Sequence, residues 1–111
     1  MSDHMPKCKI TIISRKIEQE LINEYLVDKY QSLGLCDIFS DGQEFVLEKW
    51  GDLYEVPEGF CASAWADIRK DILLIASGGN MHGIKQPGKL ITSCRDWFRP
   101  VLFKVERIQE S

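Results

Sequence analysis

The sequence predicts an α+β fold, a mixed or antiparallel sheet covered by two helices in the order β-α-β-β-α-β-β. Three observations lead there. Two segments carry apolar residues at helical spacing, the second closed by paired glycines. Several short segments alternate apolar and polar side chains and are rich in β-branched residues, the pattern of a half-buried strand. Asp41-Gly42 stands between two apolar segments, a strong local signal for a tight turn between neighbouring strands.

The elements follow in order. KCKITIISR is the first strand, with Cys8, Ile10 and Ile12 on one face and Lys7, Lys9 and Thr11 on the other. IEQELINEYLVDKY is the first helix, its stripe formed by Leu21, Ile22, Tyr25 and Leu26. Leu33-Gly34 ends it, since glycine readily supplies a left-handed cap. LCDIFSDGQEFVLEKW reads as a hairpin about Asp41-Gly42, and GDLYEVPEG as a loop. PEGFCASAWADIRKDILLIASGGN holds the second helix, which Gly78-Gly79 terminates. After the irregular NMHGIKQPG come two strands, KLITSCRD and PVLFKVERI. In the latter, Val101, Phe103 and Val105 alternate with Leu102, Lys104 and Glu106, as a sheet with one wetter face requires.

The chain of 111 residues is expected to form a single domain over 7–109, with 1–6 a disordered N-terminus or tag remnant. A net charge of -3 with scattered lysines and arginines argues against nucleic acid, which needs clustered positive charge. The longest apolar run, Ile72 to Ala76, is far short of a membrane span. MSDHMP lacks the features of a secretory leader, so the expectation is a cytoplasmic protein whose four cysteines are thiols and not a disulfide framework.

Chemistry concentrates at the second helix. Cys61, Ala64, Trp65, Ile68, Ile72 and Ile75 share one face, and Ser63, Asp67 and Lys70 the other. Cys61 therefore has two readings. It is a small apolar residue completing the stripe, or a sulfur made reactive or metal-binding by the positive helix end. Cys8 reads as core. Cys36 lies beside the hairpin and Cys94 near a strand end, and no Cys-x-x-Cys pair brings sulfurs together locally. A site built from Cys36, Cys61 and Cys94 thus depends on tertiary folding. GGNMHG follows a helix and lacks the Gly-Lys-Ser/Thr ending, so it is not a phosphate loop. His82 within it reads as a solvated loop histidine or as a ligand group. Asp67 and Asp71, interleaved with Arg69 and Lys70, read as a solvated helix face. In RDWFRP two arginines, Arg95 and Arg99, flank two aromatics; they read as surface packing beside a strand, or as guanidinium groups that could hold a carboxylate or phosphate.

KCKITII, GLCDIFSDGQEF, PEGFCASAWADIRKDILLIASGGN and SCRDWFRPVLFKVERI together resemble a family of small bacterial proteins, common in anaerobes, that carries no settled function. The resemblance covers nearly the whole chain after Pro6. It implies that Cys36, Cys61 and Cys94 belong together, with Cys8 optional. Asp37 and Ala62 stand where that pattern has proline, and Trp97 where it has glycine. The resemblance implies no substrate, cofactor or catalytic residue.

The functional expectation is a small binding domain holding a metal or soft ligand. Cys36, Cys61 and Cys94 would be the metal-binding thiols, with sulfurs about 2.3 Å from a shared ion if it is zinc. His82 and Arg99 would be the polar handles of a cofactor or small-molecule site. The alternative is a non-catalytic assembly or interaction module with cysteines as core filler. No catalytic residue can be named. The last turn of the second helix, ILLIA, is apolar all round, so either the loop that follows folds back over Leu74 or the turn is an interface. The expectation is a homo-oligomer, most simply a dimer, with Leu74 in the contact and Leu73, Trp97 and Phe98 beside it.

Overall fold

The structure, a computed structural model, describes residues 4–108. It is α+β, as the pattern predicted. Strands β1 (Cys8–Arg15), β2 (Glu44–Leu47), β3 (Lys89–Ser93) and β4 (Val101–Arg107) form one antiparallel sheet in the order β2-β1-β4-β3. Helices α1 (Gln19–Tyr25) and α2 (Ala62–Ala76) accompany it, and α2 packs against the sheet. Among the described residues, no helix is long and apolar enough to cross a membrane.

Strand alternation decides the two faces. Cys8, Ile10 and Ile12 of β1 and Val101, Phe103 and Val105 of β4 point inward and are fully buried, against Ala64, Trp65, Ile68, Ile72 and Ile75 of α2. Outward, Glu106 lies within 3.5–3.7 Å of Lys9, Lys89 and Lys104, and Lys9 also reaches Glu44 at 3.1 Å. Over the inner face Phe60 gathers four rings, with centroids 4.9 Å from Phe39, 4.9 Å from Phe45, 5.5 Å from Trp65 and 5.7 Å from Phe103. Most of these meet edge to face, the geometry that ring quadrupoles favour.

The predicted strand before Asp41-Gly42 does not form. Of its apolar residues only Phe39 is buried, while Leu35 and Ile38 are exposed, so the segment has no continuous face to lay on a sheet. The turn itself is present, with the Gln43 N–H donating to the Ser40 carbonyl. Gly42 alone takes a positive φ, 83°, which is a type II turn and not the doubly left-handed hairpin turn. Its far side pairs with β1 instead, where Gly42 N–H donates to the Ile12 carbonyl at 2.7 Å.

Helix α1 is half the length that the periodicity predicted. Leu26 leaves it in an extended conformation, and a short 3₁₀ turn, Asp28–Tyr30, follows. The Gln31 side-chain amide donates to the Asn23 and Leu26 carbonyls, taking up acceptors that a continuing helix would have satisfied. Only Ile22 of the expected stripe is buried, and Tyr25 is 71% exposed. The N-terminal boundary also moves. Met5, in the segment expected to lie outside the domain, is 1% exposed and belongs to the core.

Helix α2 matches its prediction and ends in a Schellman arrangement. Gly78, with φ 93°, donates to Ile75 O and Gly79 donates to Leu74 O. Arg107 of β4 completes that end, with Nη1 donating to the Ile75 and Gly79 carbonyls at 2.8 and 2.7 Å and Nη2 to Asn80 Oδ1 at 2.9 Å. The expected solvated face of α2 is engaged instead. Asp71 accepts from the Thr92 hydroxyl, Asp67 accepts from the Arg95 N–H, and Arg69 donates to the Leu53 carbonyl.

Candidate functional site

A cavity of about 530 Å³ opens where the N-terminal end of α2, the end of β3 and the segment before Phe39 meet. Cys36, Cys61 and Cys94 all line it, each half-buried against the core. Three thiols scattered along the sequence thus line one cavity.

Each is placed differently. Cys61 is the N-cap of α2, and its carbonyl accepts from Trp65 N–H to start the helix. The adjacent Phe60 ring anchors it to the aromatic cluster. Cys94 directly follows β3 and continues the pairing with β4. Its N–H donates to the Val101 carbonyl at 3.2 Å, and Val101 N–H donates back to its Sγ at 3.4 Å. Cys36 lies in neither helix nor strand. Arg15 Nη1 donates to its carbonyl at 3.0 Å, while Arg99 donates from Nε to Gly34 O and from Nη2 to Leu35 O, both at 3.0 Å. Three consecutive carbonyls are therefore held by two arginines.

Arg15 can reach there because of an irregularity in β1. The β1–β4 register slips between Ile12 and Ser14, which turns Arg15 to lie opposite the buried Val101. Its Nε also pairs with Asp41 at 3.0 Å. Two carboxylates of the lining hold its backbone in place. Asp96 accepts from the N–H groups of Phe98 and Arg99, and Asp67 of α2 accepts from Arg95 N–H. Trp97, at the rim, is 69% exposed with the Arg95 guanidinium 5.7 Å from its ring centroid.

The expected residues divide between the two ends of α2. Arg99 lines the cavity, but two of its donor groups are already engaged with the Gly34 and Leu35 carbonyls. His82 lies in the loop after the C-terminal end of α2, exposed, and is not part of the cavity wall. Cys8 lies apart, buried under the sheet with its thiol donating to the Pro6 carbonyl, and burial raises its pKa. Among the described residues, no three His, Cys, Asp or Glu side chains are grouped so as to hold a metal ion. The three thiols thus share a cavity without forming a ready coordination sphere.

Arg15, Asp67 and Asp96 were not legible as parts of this site. Asp96 alone carried a local signal, since aspartate favours accepting backbone N–H groups two and three residues on. Arg15 depends on a strand irregularity and Asp67 on packing against a loop distant in sequence. Compared with protein-family models, curated proteins and solved structures, the chain matches none.

Proposed function

We propose that this chain is a small binding domain that holds a soft, thiophilic ligand in the cavity of Cys36, Cys61 and Cys94. The observation that carries the reading is that three half-buried thiols, from three distant parts of the sequence, line one cavity of small-molecule size. The thiolate is the species that binds soft ions. The grouping of the same three cysteines by the family resemblance supports the reading from the sequence side. Free thiols also fit the reducing compartment expected of a cytoplasmic protein.

Anaerobic titration of the reduced protein with Cd²⁺, followed by ultraviolet thiolate-to-metal charge transfer, tests the reading. Saturable, stoichiometric uptake is expected. Cys61→Ser or Cys94→Ser should abolish it, whereas Cys8→Ala should leave it intact. Absence of uptake, or uptake indifferent to the cavity cysteines, would remove the ligand reading.

A second reading, a self-associating module with cysteines as filler, is favoured by a different observation. Leu73 and Leu74 remain exposed in the last turn of α2, Leu74 at 42%, although the Leu74 side chain folds over Gly79. Trp97 does not extend that patch. It lies by the cavity, near the other end of a helix about 20 Å long. Under this reading light scattering returns a dimer mass that Leu74→Glu reduces to monomer. A monomer at high micromolar concentration refutes it.

A further inference from the structure

We infer that Arg99 is a positioning residue of the thiol cavity, setting where Cys36 stands relative to Cys61 and Cys94. The use made of that position rests on the ligand reading above, but the positioning itself does not. Cys61 and Cys94 belong to elements fixed by the core, one capping α2 and the other bonded to Val101. Cys36 packs partly against the core but lies in neither helix nor strand. It follows Gly34, which takes a left-handed φ of 72°, and precedes Phe39, the next buried anchor. Between those points the backbone is held by guanidinium groups, and Arg99 holds two of the three carbonyls concerned.

Arg99 is itself well placed for this. Its N–H donates to Asp96 Oδ1, so its loop is already ordered before its side chain reaches across to Gly34 and Leu35. A guanidinium presents its donors in a rigid plane, so two bonds to successive carbonyls fix both distance and direction. A lysine, with a single flexible ammonium, cannot reproduce both. The three thiols share a cavity without being grouped for a metal ion, so a common ligand requires one of them to shift. The strapped segment carrying Cys36 is the part able to do so, with Arg15 on the Cys36 carbonyl itself and Arg99 on the two carbonyls before it.

Competitive alkylation of the reduced, folded chain with iodoacetamide, read at each cysteine by peptide mass spectrometry, isolates the effect. Arg99→Ala should accelerate modification of Cys36 roughly tenfold, the scale set by losing two charge-assisted hydrogen bonds at a partly exposed site. Rates at Cys61 and Cys94 should stay unchanged. Arg99→Lys should fall between, and Cd²⁺ affinity should decline in the same order. An unchanged Cys36 rate overturns the inference, as does equal acceleration of all three cysteines, which marks general loosening. Should the alanine variant not fold, the lysine variant carries the same comparison. The two proposals separate cleanly. Selective acceleration at Cys36 in a protein that takes up no Cd²⁺ sinks the ligand reading and leaves the strap. Uptake without selective acceleration does the reverse.

Discussion

Phe60→Ala is expected to remove about 3–5 kcal/mol of stability, the range for emptying a buried aromatic site. A domain of this size commonly has about 5–15 kcal/mol in total, so much of the population would unfold under mild denaturant. The reason lies in how many rings share this side chain. Phe39, Phe45, Trp65 and Phe103 all pack on it, and they come from the loop before β2, from β2, from α2 and from β4. Deleting the ring leaves a void that no single element can collapse to fill. Phe60→Leu keeps most of the volume and should recover over half of the loss. Urea denaturation followed by tryptophan fluorescence provides the measurement. A deficit below about 1 kcal/mol would show the cluster closing over the gap, outside the usual range for such truncations. Because Cys61 is the next residue, the same change should unsettle the thiol cavity, so Cd²⁺ uptake should weaken even in the fraction that remains folded.

Arg107→Ala should be the next most damaging, at about 2 kcal/mol. The guanidinium serves three acceptors, the Ile75 and Gly79 carbonyls and the Asn80 side-chain oxygen, and it places positive charge at the negative end of α2. Asn80 in turn accepts from Gly88 N–H at 2.7 Å, and Arg107 N–H donates to the Gly88 carbonyl. Removing the side chain therefore loosens both ends of the loop between α2 and β3. Amide hydrogen exchange should quicken at Gly79 and Gly88 well before it does in β1. Arg107→Lys, which keeps the charge and loses the fork, should restore only part of the protection. Exchange that stays slow throughout that loop in Arg107→Ala would show that the Schellman end holds without help.

What the sequence made legible was local. The stripe from Cys61 to Ile75 is one face of a regular helix, and Gly78 must be left-handed where the helix turns out, so both could be read from a short window. The alternation in β1 and β4 was equally plain, since one face of each is buried without exception near its centre. The errors arose where a local signal met a distant competitor. Asp41-Gly42 does mark a turn, but the edge of β1 took the pairing that Leu35 to Ser40 was expected to supply. The stripe of α1 was real as a pattern, yet Leu21 and Tyr25 stay exposed, and Gln31 closes the helix early. The cavity was the least legible part. Cys36 reaches it because β1 slips by one residue near Ile13 and because Arg99 crosses from a loop far along the chain. Neither event leaves a mark in spacing.

The pairing of β1 with β4 also governs when this fold can come into being. These are the two central strands, and Cys8 stands opposite Arg107, nearly the full length of the described chain away. Closing so long a loop is entropically slow, and folding rates fall as contacts become less local. During synthesis β1 can find β2 early, but its other edge waits unpaired until β4 has been made. Helix α2 waits with it, its apolar face lacking most of the floor it will rest on. The interval is one in which an open strand edge and an uncovered helix coexist, and that combination invites association between incomplete chains. Changes that strengthen the early β1–β2 pair would shorten no part of that wait, whereas those that favour β4 would act on the step that ends it.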